Sequence, residues 1–591
     1  MASDDEKRSP PLGNSPERYN GSVSHHGSGY IRPQARKLHD PDVTFEEYHY
    51  YALQTREEER TTPKPKTSIW REIVLRKKPE ANHSSDPGDP AVGDVTATSV
   101  NFANRANRAD ITDEEWSNAS RAFRTASAGA CFYLITTDIL GPYGVGFAMG
   151  TLGWMPGIIL YSVFGFMAGY SGYLIWHTFL GLDSHQFPLR NYGDLGFRLF
   201  GSWARHVLNV LQALALLLIL GQVTIQNGQA LSQVSKFRIC YAVCPIIFIV
   251  AGFALGQVRT LRRFGLIANL AIWLNLLVIF ITMGIMAHSP PNYAISVLGS
   301  AGALVDPDSI TPDGNGNYPP VIHYSYLPDA GSLVGSLNGL MSGVLAYGGA
   351  QLFVEFMAKM RRPYDFLKAM WGAQFFIYSV YMIYGCYVYY WHQISYQGVS
   401  LYGLQTAGNM IAFVSGLIAA ALYGNIGIKV LYNNVLMDLF SAPPLTTKSG
   451  KIVYAIIVPI WWSIAYIIAA AIPDYFGFVS VIASATLLEF TYCFPPMIAL
   501  AYDIHLNAMT DGEGFDPVTG VVVRKDRGVK RWARGFFRGR WYLNILHVLY
   551  ATGAWATAGL GLYAAIEGMI EAFENPQVNS FTCQSPLNLD A

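Results

Sequence analysis

The sequence predicts an all-α membrane protein. It is read as eleven transmembrane helices in a 5+5 inverted repeat, with helices one and six discontinuous, plus one extra helix. Three observations predict this. From Thr125 onward the chain is mostly apolar runs of twenty or more residues, enough to span a hydrocarbon core of about 30 Å at about 1.5 Å per residue. Lys and Arg alternate between rich and poor loops. Two runs, five spans apart, carry glycine-rich interruptions at matching depth.

The composition narrows the function classes. Of 591 residues, 51% are hydrophobic and 14% charged, against roughly 25% charged in average chains. The formal net charge is zero, so bulk charge gives no argument for a nucleic-acid partner. Six cysteines are scattered along the chain. Cys131, Cys386 and Cys493 lie in apolar runs, where a thiol behaves as a small hydrophobe. Cys240 and Cys244 are one helical turn apart in "RICYAVCP" without further ligands nearby. No metal site or cofactor is expected, and the cysteines are read as packing residues.

Residues 1–124 are rich in Pro, Ser and charge. They lack the apolar content for a core and are expected to be a disordered cytosolic tail. A short amphipathic piece near "DITDEEWSNASRAFR" is a candidate exception. The tail is either regulatory or a solvated leader. The first thirty residues hold no apolar stretch, so no secretory signal is read there.

The transmembrane domain is placed at about 125–571. Its spans are expected near 125–149, 152–180, 205–227, 238–256 and 263–287 in repeat 1, about 125–287. They continue near 332–357, 367–390, 406–437, 451–471 and 475–502 in repeat 2, about 332–502, with the extra helix at about 541–570. With the N-terminus inside, the inner loops carry twenty Lys and Arg and the outer loops only Lys236 and Arg238. Eight of the twenty lie between Arg524 and Arg540. The positive-inside rule then puts the N-terminus in the cytosol and the tail 572–591 outside.

The first interruption is "TDILGPYGVGFAMG", residues 137–150. Pro142 removes a backbone donor, and Gly141, Gly144 and Gly146 relax the helical bias. The second is "AYGGAQ", residues 346–351. Each lies fifteen residues into its span. In hydrocarbon, freed backbone groups are tolerated only where they line a buried cavity or meet a ligand. Paired interrupted segments in two halves point to a small-molecule transport site at mid-membrane. The opened ends offer N–H groups to a carboxylate and C=O groups to an ammonium, as an amino-acid zwitterion requires. Gly141, Tyr143, Gly144, Gly146, Tyr347, Gly348 and Gly349 are the candidate substrate-binding residues. Helix packing is the competing reading for any one glycine. Neither segment places a fixed charge beside the gap, which favours a neutral substrate side chain.

Several stretches carry a family resemblance. They are "GVGFAMGTLGWMPGIIL", "LAYGGAQLFVEFMAKMRRPYDFLKAMWG", "ALYGNIGIKVLYNNVL" and "SATLLEFTYCFPPMIALAYD". Over roughly residues 120–570 the chain resembles a fungal neutral amino acid transporter of the amino acid/auxin permease family, in the amino acid–polyamine–organocation superfamily. The resemblance implies the 5+5 fold, proton-coupled symport of amino acids by alternating access, and the plasma membrane, with the vacuolar membrane as alternative. The family usually carries Leu-Pro in the first break, where this chain has Val145-Gly146, so substrate identity is not carried over.

Four ionisable residues fall within spans: Asp138, Glu355, Lys429 and Glu489. Such groups are costly and mark coupling pathways or helix-joining pairs. In sodium-coupled relatives a cation sits between spans one and eight. Here Lys429 would replace it and pair with Asp138, with Glu355 and Glu489 as the other candidates for proton coupling. A pair that only joins helices is the competing reading. Histidines near span ends, His177, His206 and His392, form no cluster suited to an enzyme. The expected partners are an amino acid, protons and the lipid bilayer. A non-transporting sensor on the same fold and a sodium-coupled transporter stay open.

Overall fold

The computed structural model describes residues 39–61, 124, 126–141, 144–258, 261–290, 322–328, 332–391, 400–443, 445, 447–472, 475–574 and 580–585. They form a mostly helical protein. It opens with α1 (Phe45–Thr61), α2 (Ala128–Ile139), α3 (Val145–Leu152), α4 (Trp154–Leu182) and α5 (Tyr192–Phe200). There follow α6 (Ser202–Val234), α7 (Val243–Gly256), α8 (Leu261–His288), α9 (Leu333–Ala346), α10 (Phe353–Met357) and α11 (Phe366–Trp391). Then come α12 (Tyr402–Leu431), α13 (Met437–Phe440), α14 (Lys448–Ala471), α15 (Tyr475–Ile482) and α16 (Phe494–Ala508). Wide turns of π type join α12 to α13 and α15 to α16. A small antiparallel hairpin, β1 (Gly514–Asp516) and β2 (Val521–Val523), precedes α17 (Val529–Phe537) and α18 (Trp541–Glu574).

Eight stretches among the described residues are long and apolar enough to cross a membrane. Three of the eleven expected spans fall short of that measure. The first is split into α2 and α3. The fourth, α7, has 14 residues. The seventh, α11, has 26 residues, but its six tyrosines lower its hydropathy. Phe166, Phe280 and Phe375 stand exposed on three different helices, a surface suited to hydrocarbon rather than water.

Small residues bring the helices close, as is usual where hydrocarbon surrounds a bundle. The fully buried Trp462 of α14 lies against Gly252 and Gly256 of α7 and Gly424 of α12. A side chain at any of the three would meet the indole.

Two readings of the sequence are corrected. The first concerns the segment expected to be disordered through residue 124. Part of it is the helix α1, docked across the ends of α4, α5 and α16. Its apolar content is low, as expected, but ion pairs hold it as well as packing. Arg56 and Arg124 both grip the fully buried Asp183, Arg56 at 2.8 Å and Arg124 through two bonds at 2.8 and 2.7 Å. Burial opposes ionisation of Asp183, but the two guanidiniums hold its carboxyl below the usual range. Glu46 accepts two bonds from Arg524, at 2.8 and 2.6 Å, and one from Arg531 at 3.1 Å. His39 meets Asp194 at 2.7 Å. Tyr48 lies under Arg198, 4.5 Å from ring centre to guanidinium, and edge-on to Phe187. The piece expected near 110–124 lies outside the described residues, save Arg124.

The second correction concerns cysteine. Cys240 is not a packing residue. It forms a disulfide with Cys583 across 343 residues of sequence. Beside it, Tyr241 and Ala242 donate backbone bonds to Cys583 and Thr582 at 3.1 Å each. Chain spacing carried no hint of this pairing. The disulfide lies at the far end of α6 from α5, so it marks the face opposite α1.

Candidate functional site

The first span stops being helical at Ile139 and resumes at Val145. Its first half is started by Ser127, whose hydroxyl accepts from the Ala130 N–H at 3.2 Å. The sixth span stops at Ala346 and resumes through a short tight turn, Ala350–Leu352, into α10. The two spans lie side by side. Their second and first halves, α3 and α9, pack directly, with Gly339 against Thr151. At the α1 face, Ala126 pairs with Lys359 and Arg361 through backbone bonds of 2.9 and 3.0 Å. The breaks therefore come together.

One side chain joins both breaks. Tyr381 of α11 is fully buried, and its hydroxyl reaches the carbonyls of Ile139 and Ala346, the latter at 2.9 Å. The same oxygen accepts the Gly141 N–H at 3.0 Å. A hydroxyl has one proton and can donate to only one of the two carbonyls at a time. Tyr161 and Tyr347 complete an edge-to-face aromatic group around it, with ring centres 5.4 to 6.1 Å apart.

The expected substrate residues divide. Gly141 lies at the break, and a side chain there would meet open space. Gly144 faces Ser342, whose Cβ would sit 3.7 Å from an added carbon, in ordinary van der Waals contact. Gly349 packs against span one: an added carbon would meet the Ile139 side chain first and the Asp138 carboxylate oxygen at 2.7 Å. Tyr347 is buried, and its hydroxyl has no hydrogen-bond partner among the described residues. Gly146 and Gly348 serve packing as well. Gly146 presses on Val388 of α11, and Gly348 on Leu487 of the tenth span. Tyr143 lies outside the described residues.

The charged candidates are not arranged as expected. Lys429 donates to Asn425, one turn earlier, at 2.7 Å. Asn425 in turn reaches the Val258 carbonyl and the Tyr454 hydroxyl. The carboxylate oxygens of Asp138 are buried without a hydrogen-bond partner among the described residues, so the Asp138–Lys429 bond is not formed. Spans one and eight do meet, through the Tyr423 hydroxyl on the Asp138 main-chain carbonyl at 2.8 Å. Glu355 accepts from Gln212 of α6 at 2.6 Å, and the same amide donates to the Gln351 carbonyl at 2.8 Å. Glu489 sits in a wide turn of the tenth span, one carboxylate oxygen unpartnered among the described residues.

Sequence reasoning missed Tyr381, Gln212 and Tyr423. Tyr381 is one of six tyrosines in its helix, and only the fold separates it from the others. Gln212 had a signal: an amide in the middle of an apolar run, which needs a buried polar partner.

The geometry brings the free helix ends of the two breaks together around the Tyr381 hydroxyl. In the same two spans, the side-chain polar atoms of Gln351 and Asp138 are buried without a hydrogen-bond partner among the described residues. The profile of a family described as "Transmembrane amino acid transporter protein" matches residues 124–504. A protein of Neurospora crassa named "N amino acid transport system protein" is 22% identical over 470 residues, covering 77% of this chain and 87% of the relative. Two structures of the transporter Mhp1 align at lower similarity. One is titled as a nucleobase-cation-symport-1 family transporter, closed with bromovinylhydantoin bound, at 12% identity and TM-score 0.39, covering 77% of this chain and 93% of that one. The other, inward facing, has 11% identity and TM-score 0.31, covering 80% and 93%.

Proposed function

Because the chain belongs to the family of transmembrane amino acid transporter proteins, we propose that it carries neutral amino acids across the membrane as a proton-coupled symporter working by alternating access. The observation that carries this reading is the Tyr381 hydroxyl. It sits where backbone groups of both breaks converge on one atom. A substrate ammonium takes the two carbonyls, and the substrate carboxylate takes freed N–H groups of the broken ends. The amide of Gln351 and the hydroxyl of Tyr347 have hydrogen-bonding capacity left for the same ligand.

Coupling is assigned to the carboxyls nearest the gap. Asp138, against Gly349 and beside the Tyr423 hydroxyl, is placed to take a proton or the substrate ammonium. Glu355, tied through Gln212 to α6, is the second candidate. The eleven-span count and the 5+5 repeat belong to this proposal. So does the orientation, with the N-terminus in the cytosol and the protein in the plasma membrane. The Lys and Arg bias of the loops supports that orientation. The disulfide on the face opposite α1 supports it independently, since disulfides persist in oxidising compartments.

The test is uptake of radiolabelled neutral amino acids by vesicles holding the full chain, with and without an inward proton gradient. Accumulation that collapses when the gradient is removed is the expected result. Binding without uptake under either condition means a sensor on this fold.

A further inference from the structure

We propose that α17 is an interfacial helix that binds anionic phospholipid headgroups of the leaflet on the α1 side. This rests on the chain being a membrane protein, not on its substrate or coupling ion. The helix has inverted polarity. Val529, Trp532, Ala533, Phe536 and Phe537 recur at i, i+3, i+4, i+7 and i+8, which is one helical face. That face is turned away from the protein. Val529 is 85% exposed, Trp532 55% and Phe537 69%. The opposite face carries the charge inward. Arg531 is 6% exposed and bonds Glu513 and Glu46. Arg534 holds Asp526 through two bonds and the Ala508 carbonyl through two more. Gly535 seats the helix directly on the Ile504 carbonyl. A helix built for water would do the reverse.

Its position identifies what covers the apolar face. The Phe536 carbonyl accepts from Asn544 in the first turns of α18 at 2.7 Å. Trp532 stacks edge-on near His505 at the end of α16. Both neighbours are membrane-crossing stretches, so α17 lies at the level where the chain enters the bilayer. Trp541 and Tyr542, exposed at the start of α18, are the aromatic residues found at that depth. A second copy or a soluble protein would leave the cationic rim without a counterpart. Arg527, Lys530, Arg538 and Arg540 are all exposed around the apolar face, while the acidic Glu513 and Asp526 are engaged inward with Arg531 and Arg534. Beneath the helix, a cavity of about 180 Å³ is lined by the apolar Ile504 and Ala508, by Arg527, and by Arg524, whose guanidinium is held by Glu46. This combination suits a phosphate on an acyl chain.

The experiment uses the full chain in vesicles of phosphatidylcholine alone or mixed with phosphatidylserine. Lipids brominated on the upper acyl chain should quench the fluorescence that Trp532→Phe removes, and aqueous acrylamide should not. Should that variant fold poorly, a nitroxide on Ala533→Cys gives the same answer: relaxation by dissolved oxygen should exceed relaxation by a water-soluble nickel chelate. The combined Arg527→Gln, Lys530→Gln and Arg540→Gln variant should retain phosphatidylserine about tenfold less well through purification, read by native mass spectrometry. Acrylamide or nickel access at 532 or 533, or unchanged phosphatidylserine retention in the triple variant, overturns the proposal.

Discussion

On the α1 face, buried charge is met. Asp183 has two arginines, Glu46 has two, and Asp194 has His39 and the Arg190 N–H. At the helix breaks, a few turns away, it is not. Asp138, Gln351 and Tyr347 keep buried polar atoms without partners among the described residues. Burying such groups costs free energy wherever they are. Where each carboxylate has its counter-charge, the role of the arrangement is to hold elements together, although Arg56 Nε and the Tyr48 hydroxyl there also lack partners among the described residues. Where unpartnered groups lie near freed helix ends, we propose a ligand as the missing partner. On that proposal the difference separates a structural collar from a binding site.

The predictions break or sharpen that contrast. The largest effect is expected in the collar. Asp183→Ala strands Arg56 and Arg124 and should cost about 3–5 kcal/mol of stability. Thermal unfolding in detergent measures it, and amino-acid affinity of the surviving folded protein should be unchanged. Next is the gap. Gly349→Val puts a branched carbon where the Asp138 carboxyl and Ile139 lie. It should cut initial uptake about 100-fold while the protein still folds. A smaller effect follows from Asp138→Asn, which should lower proton-driven accumulation about tenfold. Lys429→Met should add to it independently, within about 0.5 kcal/mol, because Lys429 bonds Asn425 and not Asp138. A double variant milder than the sum would show that the two meet in another state of the cycle.

The smallest effect concerns pH. Burial raises the Glu59 carboxyl from 4.5 to about 6, only partly offset by Arg56. Docked α1 therefore holds this proton more tightly than undocked α1. The contribution of Glu59 to docking is complete below about pH 4.5 and is lost as pH rises to about 6. Limited proteolysis between Phe45 and Thr61 should speed up modestly over that window in the wild type. Glu59→Gln should flatten the change.

The sequence made the membrane class and both breaks legible, since helix-breaking residues free backbone groups that hydrocarbon cannot satisfy. Pro142 and Gly141 in one run and Gly348-Gly349 in the other were local signals. What stayed hidden depended on contacts distant in sequence. Tyr381 meets Ile139 from 242 residues away. Cys240 and Cys583 are 343 apart. The helix α1 reads as polar and solvated until Arg524 and Arg531, nearly five hundred residues on, supply partners for Glu46. Gly146 and Gly348 looked like site residues because glycine serves close packing and ligand approach alike. Only Val388 and Leu487 against them decide between the two.

The most direct test of the central claim is equilibrium binding of a radiolabelled neutral amino acid to the purified full chain. It compares the wild type with Gly349→Val, and Glu46→Gln serves as the collar control. The account predicts saturable binding in the wild type and in Glu46→Gln, and none in a folded Gly349→Val. Equal affinity in wild type and Gly349→Val would contradict it and place the binding site away from the breaks.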